Sequence, residues 1–173
     1  MTSVEEWPPT PPLRSARLTL EPLRVEHAQE MAPLLADRRL HAFTGGDPPT
    51  LRQLRDSYRK RLHAAPGASR WANWVVRHDE SGRAVGGMQA EIAAGQGGLV
   101  AELAWILGSA DQGHGYAREA AAATIAWLRE QGVASLVADI HARNEPSMRL
   151  ARALGFAPTD EDVEHEGDVR WRA

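Results

Sequence analysis

The run Asp111-Gln112-Gly113-His114-Gly115-Tyr116-Ala117-Arg118-Glu119-Ala120 carries the clearest chemical signal in the sequence. It stands between a strand-like apolar segment, Leu99 to Leu107, and an alanine-rich helical segment from about Gly115 to Glu130. Small residues let backbone come close to a ligand. At a helix start several N–H groups lack intrahelical partners and the peptide dipoles sum to a partial positive charge, so the chemistry offered is capture of a phosphate or diphosphate. The same run could also be a plain connection that needs a tight turn. Its glycine spacing does not fit the dinucleotide fingerprint, and no Gly-Lys-Ser/Thr triplet is present for a nucleotide-triphosphate loop.

Composition removes several other chemistries. The chain of 173 residues has no cysteine, which excludes a disulfide framework, a thiolate nucleophile and cysteine-ligated metal. Acidic residues number 23 against 20 basic ones, a formal charge of −3, so nucleic acid is not the expected partner. No stretch approaches the roughly 20 apolar residues of a membrane helix, and the N-terminus lacks a leader pattern, so no membrane partner and a cytoplasmic location are expected.

The elements that must position the loop follow from periodicity. Residues 1–12 hold Trp7 among Pro8, Pro9, Pro11 and Pro12 and read as a flexible proline-rich tail; residues 13–173 read as one domain. Leu13 to Leu23 alternates as a first strand. Val25 to Leu40 shows helical spacing weakened by Pro33, and Thr50 is a predicted N-cap for a second helix. Trp74 to Arg77 and Ala84 to Ile92 form a predicted hairpin, and Leu99 to Leu107 is the fourth strand. Val133 to Ile140 is the fifth, Ser147 to Leu154 a short helix, and Asp168 to Ala173 a last strand. This mixture predicts an α+β domain with a parallel crossover between strands 4 and 5.

Gln112-x-x-Gly115-x-Ala117 resembles the Gln/Arg-x-x-Gly-x-Gly/Ala signature of the GNAT superfamily of acyl-CoA-dependent N-acyltransferases. Asn144-Glu145-Pro146-Ser147-Met148-Arg149-Leu150 through Leu154-Gly155-Phe156 is similar to that superfamily's element after the fifth strand. Arg17 to Leu23 and Phe43-Thr44-Gly45-Gly46 are similar to its ribosomal-protein-alanine acetyltransferase branch. The resemblance implies a mixed, mostly antiparallel central sheet of about six to seven strands flanked by helices, with strands 4 and 5 a splayed parallel pair. It implies acetyl-CoA as cosubstrate, no metal, and a monomer or homodimer. Gln112, Gly113, His114, Gly115, Tyr116 and Ala117 would hold the coenzyme diphosphate. Leu107 would pair its backbone with the pantetheine arm, and Asn144 would contact the coenzyme.

Transfer from a thioester to an amine needs no covalent enzyme intermediate, because a neutral amine is a good nucleophile and a thiolate, whose acid has a pKa of about 8–9, leaves readily. A protonated amine does need a base, and Glu102 on the fourth strand is the candidate, set by alternation on one face with Ala104 and Ile106. It could instead be an exposed strand carboxylate. Ser147 matches the residue proposed in the resembled branch to protonate the departing thiolate, and could instead cap the short helix. Asp139 and His141 are spare candidates. Many superfamily members carry a tyrosine acid where this chain has Ala151, which keeps open an alternative: a non-catalytic acyl-CoA sensor with the same fold. The acidic run from Asp160 to Asp168 could be a plain solvated loop; in the resembled fold it flanks the acceptor mouth, which would favour a cationic acceptor, either a peptide N-terminus or a small amine such as a polyamine.

Overall fold

Apolar alternation over long segments builds a single sheet in the computed structural model, which describes residues 7–63 and 69–173. Its strands are β1 (Leu13–Arg14), β2 (Leu18–Pro22), β3 (Ser69–His78), β4 (Ala84–Gly95), β5 (Gly98–Leu107), β6 (Val133–His141), β7 (Ala157–Pro158) and β8 (Asp168–Arg172). They lie in the order β1-β2-β3-β4-β5-β6-β8-β7. Every neighbouring pair is antiparallel except β5–β6, which is parallel. The eight strands exceed the expected number because the first predicted strand is two, broken at Ser15 to Arg17, and because Ala157–Pro158 adds a short edge. The expected fourth and fifth strands are β5 and β6.

The helices cover both faces. Helices α3 (Tyr116–Glu130) and α4 (Glu145–Ala153) pack on one, where Ala120, Ala121, Leu128 and Ala151 meet Trp74, Val85, Leu103, Leu136 and Trp171. Helices α1 (Ala28–Leu35) and α2 (Leu51–Leu62) cover part of the other through Met31, Leu35, Leu54 and Tyr58 over Val75. The segment predicted as one helix from Val25 to Leu40 is three pieces: a 3-10 turn (Val25–His27), α1 and a second 3-10 turn (Arg38–His41). Pro33 lies inside α1, and Asp37 then accepts from the Arg39 N–H, ending the helix and starting the next turn. Thr50 caps α2 as predicted, in a reciprocal box with Gln53.

Residues 7–12, expected as part of a loose tail, lie against the domain. The Trp7 ring meets Trp127 edge-on at 5.4 Å, and the Trp74 indole N–H donates to the Pro11 carbonyl at 2.7 Å. The rest of that stretch, residues 1–6, lies outside the described residues.

A half-buried cluster ties α1 to the sheet. Arg77 pairs with Glu21 on β2 at 3.0 Å and with Glu30 on α1 at 2.7 Å, and buried His27 contacts Glu21 at 3.1 Å. Hydrogen bonds from Arg77 hold both glutamates below their usual carboxylate range against the opposing effect of burial, while burial chiefly lowers His27. All three folded pKa values are thus depressed, so their stabilisation is full above the unfolded values and is lost as pH falls, first through the histidine range and then through the carboxylates. Arg77→Ala should cost about 2 kcal/mol, between exposed and buried pairs. Melting temperature followed from pH 7 to pH 3 checks this: the wild-type curve should be steeper than that of the variant.

Candidate active site

Parallel pairing between β5 and β6 runs only from Leu99–Val133 to Glu102–Val137. Beyond it the strands diverge, β6 pairing through Val137 to His141 with β8 instead. A cavity fills the split, lined by Leu103, Ala104 and Trp105 from β5 and by Ala138, Asp139, Ile140 and His141 from β6. The expected splayed pair is therefore present, and it opens where backbone of β5 loses its neighbour.

The glycine loop before α3 opens on a second cavity of about 320 Å³, lined by Leu107, Gln112, Gly113, Gly115, Tyr116, Ala117 and Arg118 on one side and by Asn144, Pro146, Ser147 and Leu150 on the other. Gly113 and Gly115 have φ of 80° and 82°, a conformation that admits glycine and penalises other residues. A Cβ at Gly113 would meet nothing within 4 Å, so that side of the loop is open to a ligand. Gly115 is the N-cap of α3, and no side chain caps the helix; the first bond back to it comes from Glu119 N–H. The N–H groups of Tyr116, Ala117 and Arg118 are left for an anion. The uncapped terminus fits a diphosphate, and the cavity's lining continues from it to Leu107 at the end of β5, where an arm could extend.

The loop is braced from behind. Arg17 pairs with Glu119 at 2.8 Å, donates to the His114 carbonyl at 3.0 Å and lies 4.7 Å over the Tyr116 ring, which stacks on His114. Burial works against ionisation of Glu119, yet hydrogen bonds from Ser15 and from Arg17 backbone and side chain outweigh it and hold the carboxyl below its usual range. The Tyr116 ring thus packs against the loop, and both Tyr116 and Ala117 line the cavity. Gln112 donates its side-chain N–H to the Leu107 carbonyl at 3.1 Å, fixing the loop to the end of β5.

Asn144, not Ser147, caps α4: its side chain accepts from the Ser147 N–H at 3.3 Å. The capping alternative for Ser147 is thereby corrected. The Ser147 Oγ accepts from the Trp105 indole N–H at 3.2 Å, which occupies one lone pair and leaves the serine O–H to donate elsewhere. Both residues line the two cavities described, as do Asn144 and Phe43, so these four mark where the cavities meet. Ala151, one turn after Ser147 on the same helical face, is fully buried in the core. Any hydroxyl acid on this face of α4 thus comes from Ser147.

The carboxylates differ in freedom. Asp139 accepts both Arg170 Nε at 2.8 Å and Nη2 at 2.7 Å, a bidentate pair that occupies both oxygens. His141 Nδ1 accepts from the Arg143 N–H at 3.2 Å, which puts the proton of the neutral ring on Nε2 and leaves no free lone pair for a base; Phe43 packs on the ring at 5.3 Å. Glu102 lies on the open face with Ala104 and does not line the cavities itself. Among the described residues its one side-chain partner is Arg170, at 3.5 Å. Burial, then the nearby Asp139 charge, pushes its carboxyl up despite Arg170. On the far side His165, Glu166 and Asp168 line the split-strand cavity, while Glu161 of the same acidic run is taken by Arg172 at 2.7 Å.

Two contacts of this site were outside the reach of sequence reasoning: Trp105 on Ser147, and Arg17 on Glu119. Phe43 belonged to a quoted motif, but nothing in the sequence placed it over the cavities. Among the described residues there is no cluster of metal-ligating side chains and no helix long and apolar enough to cross a membrane.

Comparison with known proteins agrees with the geometry. The model of the acetyltransferase (GNAT) domain matches residues 17–157. No curated protein matches the chain in sequence. Among solved structures, a GNAT-family acetyltransferase from Bordetella pertussis is 27% identical with a TM-score of 0.72, over 94% of this chain and 98% of that one. A GNAT-family acetyltransferase from Bacillus anthracis is 18% identical with a TM-score of 0.77, over 94% and 98%. RimL, the ribosomal L7/L12 alpha-N-protein acetyltransferase, in complex with coenzyme A, is 15% identical with a TM-score of 0.75, over 92% and 94%. With an uncapped helix terminus behind Gly113 and Gly115, a sheet split between β5 and β6, and the domain model spanning most of its length, the chain belongs to the GNAT acetyltransferase family.

Proposed function

We propose that the protein moves an acetyl group from acetyl-CoA to a primary amine, a peptide N-terminus or a small cationic amine, by direct attack in a ternary complex. The observation that carries this reading is the junction of two cavities at Trp105, Asn144 and Ser147. One leads to the α3 N-terminus, the other to the acidic lip at Glu166 and Asp168. Likeness of fold to an enzyme described with coenzyme A and a ribosomal-protein N-terminus supports both the donor and the acceptor class.

In this reading the α3 N–H groups, with Gln112, Gly113, His114, Gly115, Tyr116 and Ala117, hold the diphosphate. Backbone around Leu107 and the side chain of Asn144 position the arm. Acetyl-CoA brings the thioester; the chain aligns it, and alignment alone can be worth ~7–11 kcal/mol. Glu102, less tied than Asp139, takes the first amine proton through water, and Ser147 passes its hydroxyl proton to the departing sulfur as it takes up the second proton shed by the attacking nitrogen. Trp105 is a positioning residue for Ser147. Trp105→Phe should lower kcat by about 5–10-fold with the acetyl-CoA KM unchanged, as expected for loss of one hydrogen bond. In the Ser147→Ala background the same change should do nothing further, which a steady-state comparison of the four proteins reads out.

Thiol release measured over a panel of amines tests the function. Cationic amines should outpace neutral ones of the same size, with the advantage shrinking as salt is added. Equal rates at all salt concentrations would remove the role given to the acidic lip. Coenzyme A binding without acetylation of any amine would favour the sensor reading, to which the missing hydroxyl at Ala151 lends support.

A further inference from the structure

A third cavity, of about 470 Å³, lies between the sheet and the α1–α2 side and joins the site at Phe43, Ala104, Trp105 and Asn144. Its walls are mainly apolar, with Met31, Leu35, Tyr58 and Ile106 among them and Arg61 beside them, as in pockets that take a small organic group. Its floor is not. Asn73 on β3 and Gln89 on β4 are directly paired in register, so their side chains emerge side by side on the same sheet face. Neither carboxamide is hydrogen-bonded to another side chain or backbone group among the described residues; Asn73 is 92% buried and its Oδ1 has no partner. An unmet buried amide is destabilising, and a ligand that pairs with it removes that cost.

We infer that this cavity is the specificity pocket for the acceptor, which carries a bulky apolar side group and an uncharged peptide-like amide: the side group fills the space under α1 and α2, and the amide pairs with Asn73 and Gln89. A carboxamide both donates and accepts, so two of them on the floor match the N–H and C=O of one amide. A cationic group would have to leave water for walls that hold Arg61 and no carboxylate, which the pocket opposes. The inference rests on the acetyl-transfer reading, since it assigns to that site's acceptor its shape and polarity.

Glycinamide, phenethylamine and phenylalaninamide each carry one primary amine and separate the two requirements. With saturating acetyl-CoA, phenylalaninamide should exceed glycinamide in kcat/KM by about 10-fold or more, through the apolar group, and phenethylamine by a similar factor, through the amide. Asn73→Leu should erase the second preference and keep the first. Transfer to all three at the same kcat/KM overturns the inference and leaves acetyl transfer standing. Should no amine be acetylated, the transfer reading fails, and binding decides the pocket: by calorimetry with coenzyme A present, N-acetylphenylalaninamide should bind wild type at least about 10-fold more tightly than N-acetylglycinamide does. Equal or absent binding of these two overturns the inference without reference to turnover, and the wild-type comparison stands even if the variant fails to fold.

Discussion

Replacing Ala117 by glutamate raises the acetyl-CoA KM by about 100-fold or more while the protein stays folded. Ala117 lies in the first turn of α3 and lines the cavity against Asn144 and Ser147. A carboxylate there is favourable to the helix itself, because it faces the positive end of the macrodipole. It is unfavourable to a bound diphosphate. Two like charges ~5 Å apart at an effective dielectric of ~20 repel by about 3 kcal/mol, more than 100-fold in affinity. Stability and binding thus move in opposite directions, which separates a direct clash with the cosubstrate from general damage. Circular dichroism melts beside steady-state kinetics check it: an unchanged KM with an intact fold would place the diphosphate elsewhere.

Glu102→Gln lowers kcat by about 100-fold or more at neutral pH, within the range for loss of one general base. Freedom of the carboxylate counts here as much as position. Asp139 is held at both oxygens by Arg170, and the His141 ring has its basic nitrogen engaged by backbone. Glu102 touches Arg170 only at 3.5 Å and has its carboxyl pushed up, chiefly by burial. A base works when ionised, so wild-type kcat should fall as pH drops through a value above the ordinary glutamate range. In the variant that acidic limb should vanish. A pH–rate profile identical to wild type would take the base role away from Glu102.

The turn before α3 was legible in sequence because its determinants are local. Positive φ at Gly113 and Gly115 and a helix start beside them are written in neighbouring residues. The alternation of β5 was equally readable: Leu103, Trp105 and Leu107 do pack on the α3 side and Ile106 on the other. Contacts between distant residues were not. Arg17 and Glu119 are far apart in sequence, as are Trp105 and Ser147, and no periodicity announces such pairs. The cap of α4 was misassigned because Asn144 and Ser147 are both cap-forming types three residues apart; Pro146, favoured in the first helical turn, was the overlooked clue that the helix starts at Glu145. The predicted helix from Val25 failed for a similar reason, since apolar spacing continues past Leu35 while the Asp37 side chain has already ended the helix.

Titration calorimetry with coenzyme A and with pantetheine, which lacks the diphosphate and nucleotide, addresses the role of the α3 terminus most directly. Coenzyme A should bind saturably and at least about 100-fold more tightly than pantetheine, and Ala117→Glu should remove most of that difference. Folded protein that takes up neither compound at about 1 mM, or binds both equally, would contradict the account.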